Sequence, residues 1–130
     1  MTAAETLPET ARPVLVWAEI PVTDLEKAME FYAKVFDYKM TVDTNGPNPI
    51  SFFNNDMNGT GGHLYPGTPA KEGQGPTVHL QIPDTLEEAT VRVTEAGGTL
   101  IGGPVPLPVG RFHYAQDLDG NSIGLFEVTA

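Results

Sequence analysis

Two stretches decide how this chain is read: "IPVTDLE" at residues 20–26 and "IPDTLEE" at residues 82–88. Each runs from a branched aliphatic residue and a proline into a helix-start signature. Thr23 and Glu26 have the spacing of a capping box, in which a hydroxyl and a carboxylate satisfy free backbone N–H groups. Thr85 and Glu88 repeat it. From Ile20 to Ile82 the offset is 62 residues, and the threonines and glutamates keep that offset. Self-similarity of this length points to two copies of one supersecondary unit packed together.

The residues around both stretches continue the pattern. "VLVWAEIPV" (14–22) sets Val14, Val16, Ala18, Ile20 and Val22 on one face, and Leu15, Trp17, Glu19 and Pro21 on the other. "TVHLQIPD" (77–84) sets Val78, Leu80 and Ile82 against Thr77, His79 and Gln81. Downstream, "TDLEKAMEFYAKVFDY" carries an apolar helical stripe of Leu25, Ala28, Met29, Tyr32, Val35 and Phe36. "TLEEATVRVTEAGG" forms the second helix, stopped by Gly97-Gly98. Further strands are expected near 39–43, 50–54 and 62–65, and again near 99–102, 111–116 and 122–128. Each half is a strand, a helix and three strands.

The expected fold is therefore α+β: two tandem βαβββ modules forming a curved mixed sheet whose helix-free side makes a cleft. Module one spans 13–66, a Pro/Gly linker 67–76 and module two 77–130, with a polar tail at 1–12. By strand parity the cleft face holds Trp17, Glu19, Phe53, His63, Tyr65, His79, Gln81, Phe112, Tyr114, Ser122, Gly124 and Phe126. Gly124 is the odd member, because a glycine inside a strand leaves the face it should cover empty.

Composition limits the function. A chain of 130 residues is one domain with room for a core. A net charge of −10 argues against a nucleic-acid backbone or an anionic membrane as partner. There is no cysteine, hence no thiol nucleophile or cysteine metal site. No apolar run approaches the roughly 20 residues of a membrane helix. "MTAAETLPETARP" has neither the basic nor the apolar region of a secretory signal, so a cytoplasmic location is expected. "KEGQGP" lacks the Gly-Lys-Ser/Thr of a phosphate loop.

The duplication, with "IPVTDLEKAMEFYAKVF", "EAGGTLIGGP" and "GRFHYAQDLDGNSIGLFE", resembles the vicinal-oxygen-chelate superfamily. That superfamily includes glyoxalase I, extradiol dioxygenases and the bleomycin- and fosfomycin-resistance proteins. The resemblance covers about residues 14–128. It implies a homodimer, and a divalent metal held by side chains from the first and last strands of each module. Carried over, those positions are Trp17, His63, His79 and Gly124. Trp17 and Gly124 cannot ligate through a side chain, so a complete metal site is not favoured; were a metal bound, His63, His79 and Glu19 would hold it.

Each residue also has a plainer role open to it. His79 could simply bond a neighbour such as Glu19 or Gln81. Glu19 is the candidate general base, or else a hydrogen-bonded structural carboxylate. Arg111 is expected to form a salt bridge, and "DLDGN" (117–121) to be a structural turn. The expected function is binding of a small, partly apolar or aromatic molecule in an aromatic-lined cleft, with no cofactor favoured. The alternatives are a divalent-metal-dependent lyase, isomerase or dioxygenase, and a drug-sequestering resistance protein.

Overall fold

A computed structural model describes residues 15–53 and 61–129. The tail expected at 1–12 lies outside them. The order is β1 (Trp17–Val22), α1 (Leu25–Phe36), β2 (Val42–Asp43), β3 (Ile50–Phe52) and β4 (Gly61–Pro66), followed by β5 (Val78–Gln81), α2 (Leu86–Glu95), β6 (Thr99–Leu107), β7 (Gly110–Gln116) and β8 (Ser122–Val128). The βαβββ unit is present twice. The strands form two four-stranded mixed sheets, ordered β1-β4-β3-β2 and β5-β8-β7-β6. In both, the first strand runs parallel to the last, as Glu19 beside His63 and His79 beside Gly124.

Helix α1 buries Ala28, Phe31, Tyr32, Val35 and Phe36, the i, i+3, i+4 recurrence of one helical face. Phe31, absent from the expected stripe, lies against Gly98 of the other module. Helix α2 buries Leu86, Ala89 and Val93. With Ile20, Val22, Leu64, Ile82, Ile123 and Leu125 these side chains make one core between helices and sheets. A fully buried aliphatic or phenyl side chain contributes about 1.5–3 kcal/mol. The modules meet through α1 and α2, where Arg92 Nε donates to the Val35 carbonyl at 3.1 Å. Arg92 also grips Asp84 through two bonds of 2.7 and 2.8 Å, and it holds that carboxyl below the usual carboxylate range.

The helix starts differ from expectation in one copy. Thr85 caps α2, accepting from Glu88 N at 3.3 Å. In α1 the cap is Asp24, which accepts from Lys27 N at 3.1 Å. The Thr23 hydroxyl instead donates to Asp119 Oδ1 at 2.5 Å, and Thr23 N donates to Asp119 Oδ2 at 3.2 Å. A neighbour brought in from 96 residues away has displaced the local motif.

That contact belongs to a clasp built by the turn at 117–121. The buried Asp117 accepts from the Tyr32 hydroxyl at 2.7 Å, from Asn121 N at 3.0 Å and from Asn121 Nδ2 at 2.9 Å. Asn121 Nδ2 also donates to the Pro21 carbonyl at 2.9 Å. Burial, then the Asp117 charge, push the Tyr32 phenol up, so it stays protonated and donating. The turn is structural, and it fixes one module on the other.

Candidate binding faces

The face of each sheet away from its helix carries the residues with chemistry. In module one, Trp17, Glu19, His63 and Tyr65 share that face through the pairing of β1 with β4. Phe52 joins them, because it lies opposite His63 on β3. The expectation for Phe53 is corrected: it is buried in the core, with ring centroids 5.5 Å from Tyr32 and 5.7 Å from Tyr38. The cause is a notch. A Cβ on Gly62 would meet the Phe53 ring at 2.9 Å, so only glycine lets that ring lie over β4 on the core side. The register of β3 is therefore one residue from the expected one, and Phe52 takes the outer place.

Trp17 and His63 define the chemistry of this face. Trp17 Nε1 donates to His63 Nδ1 at 3.0 Å. An indole nitrogen can only donate, so Nδ1 accepts, and the neutral ring carries its proton on Nε2. Nε2 lies 3.2 Å from Glu19 Oε1. His63 is nearly enclosed, its side chain 12% exposed, whereas Glu19 is 65% exposed. Phe52 and Tyr65 stand edge-on to the imidazole, with centroids 6.3 and 6.1 Å away. The result is a carboxylate at the rim of an aromatic wall.

In module two, Phe112, Tyr114, Gly124 and Phe126 share the outer face with His79 and Gln81. The imidazole of His79 lies over Gly124, where an added Cβ would be 2.0 Å from Nδ1. Phe112 meets the ring edge-on at 4.8 Å, with Phe126 and Tyr114 both at 5.9 Å. Desolvation by this cage lowers the His79 pKa from its ordinary value of 6.5, and the ring is predominantly neutral at pH 7. The missing side chain at Gly124 is thus filled by the neighbouring strand's histidine. Every ring contact described for either cluster stays within its own module. Each sheet therefore carries an aromatic face of its own.

On the helix side of β7, Arg111 Nε and Nη2 reach Glu127 Oε2 at 3.1 and 2.9 Å, and Nη2 reaches Glu87 Oε1 at 2.7 Å. Glu127 Oε2 also accepts from Leu86 N, the first residue of α2, at 2.7 Å. The guanidinium holds both carboxyls below their usual range. Arg111 closes a salt bridge that anchors the helix start and faces away from the outer surface.

The sequence matches the profile of the Glyoxalase/Bleomycin resistance protein/Dioxygenase superfamily over residues 14–125. The chain belongs to that superfamily. Among similar solved structures, a superfamily member from Sphaerobacter thermophilus shares 26% identity at a TM-score of 0.63, covering 89% of this chain and 98% of that one. TnmS3, an antibiotic binding protein from Streptomyces sp. CB03234, shares 25% identity at a TM-score of 0.61, covering 92% and 98%. The fosfomycin resistance protein FosX from Mesorhizobium loti shares the fold, with 19% identity, a TM-score of 0.62 and coverage of 89% and 90%. Comparison with curated proteins finds no match.

Superfamily membership raises the question of a divalent metal, and the residues present do not fit one. Of the four implied positions, Trp17 has no lone pair to offer and spends its N–H on the Nδ1 of His63. Gly124 has no side chain, and the His79 ring covers it. Glu19 and His63 are together, whereas the ring contacts of His79 among the described residues are with its own module. Among the described residues no group of three or more His, Cys, Asp or Glu could hold an ion. No helix among them is long and apolar enough to cross a membrane.

Proposed function

We propose that the protein binds a small, partly apolar or aromatic molecule on these faces, holding it rather than transforming it. The observation that carries the reading is the His79 cage. A neutral imidazole and three aromatic rings sit on a sheet face with Tyr114 40% exposed, where a hydrophobic side chain is normally covered. Flat rings with one or two polar groups suit a planar molecule. The likeness to an antibiotic binding protein supports a sequestering role. A homodimer is part of the proposal: a second copy would let a Trp17 face of one chain and a His79 face of the other close one cleft. The charge of −10 supports a protein that avoids nucleic acids.

The test is isothermal titration calorimetry with 1-naphthalenemethanol, a neutral planar probe, alongside sedimentation velocity. Saturable binding that is lost in Phe126→Ala supports the reading, and so does a dimer at micromolar concentration. No heat of binding, or binding indifferent to Phe126→Ala, overturns the site. A monomer overturns the shared cleft. Turnover of a bound substrate that requires added divalent metal would favour the metal-dependent enzyme instead.

A further inference from the structure

We infer that the bound molecule is an arylalkylamine, its cationic nitrogen recognised by Glu19; this rests on the binding role just proposed. The placement of charge over the whole chain leads to it. There are seven basic residues. Arg12 is outside the described residues. Lys27 and Lys34 are on α1, Lys39 follows that helix, and Lys71 is in the connection between modules. Arg92 is consumed by Asp84, and Arg111 by Glu87 and Glu127. Among the described residues, none of them holds a strand position on either outer face.

The ionised side chains that do occupy the outer faces are acidic. Asp43 pairs with Ile50 at the sheet edge and accepts from Asn45 N at 2.8 Å, so it is engaged in its own turn. Glu19 is left, 65% exposed; the partner described for it is the Nε2–H of a neutral His63, and no Lys or Arg is paired with it among the described residues.

The three charge types of ligand can then be ranked. An anionic ligand would meet a carboxylate, no compensating base and a chain of net charge −10. A neutral one would cover Glu19 and strip its water, leaving the carboxylate only the uncharged His63 donor, which is costly for an ionised group. An ammonium or amidinium gains a charge-assisted hydrogen bond to the carboxylate. It also stands beside the Trp17 indole, two residues along the same strand face, and indole is the strongest cation–π partner. His63 is a positioning residue here, its Nε2 setting the place of the Glu19 carboxylate.

The experiment uses the intact protein and three isosteric probes: 1-naphthylmethylammonium, 1-naphthalenemethanol and 1-naphthoate, titrated by calorimetry at low salt. The ammonium should bind about tenfold more tightly than the alcohol, with the carboxylate weakest. Glu19→Gln, isosteric and on the surface, should remove that preference, the ammonium losing affinity and the alcohol losing none. Equal Kd values for ammonium and alcohol, or a preference that survives Glu19→Gln, overturn the inference and leave the aromatic site standing. Tightest binding by the naphthoate also overturns it. Failure of all three probes to bind overturns the binding role, and the inference with it.

Discussion

The imidazole of His79 occupies the space where residue 124 has no side chain: a Cβ there would be 2.0 Å from Nδ1. The two residues are register partners on parallel strands, so the glycine on β8 decides the conformation of the histidine on β5. In Gly124→Ala the ring is expected to rotate out toward solvent, because its rim is open. The overlap is costly and the alanine suits a strand better than glycine, for a net loss of about 1–2 kcal/mol. The His79 titration midpoint, followed by NMR, should rise toward 6.5 as the ring leaves its cage. An unchanged midpoint would show that the cage does not depend on the notch.

His79 also makes stability depend on pH. Its pKa is lowered in the folded protein, so as pH falls through 6.5 the unfolded chain takes up the proton first. Stability is lost over that interval, and the loss stops once the pH passes below the folded value. Urea unfolding at pH 7.5 and at pH 5.5 should show a larger drop for the wild type than for His79→Gln. Equal drops would remove His79 as the source.

The clasp should divide into strong and weak members. Tyr32→Phe removes a buried donor to the Asp117 carboxylate, a bond of the kind worth about 1.5–3 kcal/mol. Thr23→Ala removes an exposed bond and should cost under about 1 kcal/mol. The reverse ranking in chemical denaturation would mean that the exposed side of the clasp holds the modules together.

Ser51 points the other way. Its hydroxyl is fully buried on the core side of β3, and among the described residues it has no hydrogen-bond partner. An unpaired buried hydroxyl costs about 1–3 kcal/mol. Ser51→Ala should raise the urea midpoint, by about 1 kcal/mol in stability. A loss of similar size would reveal a partner for the hydroxyl.

The local pattern of the chain carried the fold. Alternation in 17–22 and 78–81, the 3.6-residue stripes of both helices and the 62-residue offset are all readable, because burial on one face imposes its period directly on the residues. Most of the outer face was readable for the same reason: Trp17, Glu19, His63, Tyr65, His79, Gln81, Phe112, Tyr114 and Phe126 have the orientation their parity requires.

Tertiary structure decided what parity cannot. Phe52 rather than Phe53 faces outward because β3 is three residues long and takes its register from β4 and the Gly62 notch. Thr23 leaves its helix because Asp119 comes within reach only after the modules dock. Gly124 announced a gap in the sequence, but the neighbouring strand determined that His79 fills it. In each case the deciding partner is distant along the chain, and sequence spacing carries no information about which side chain will occupy a space that two strands create together.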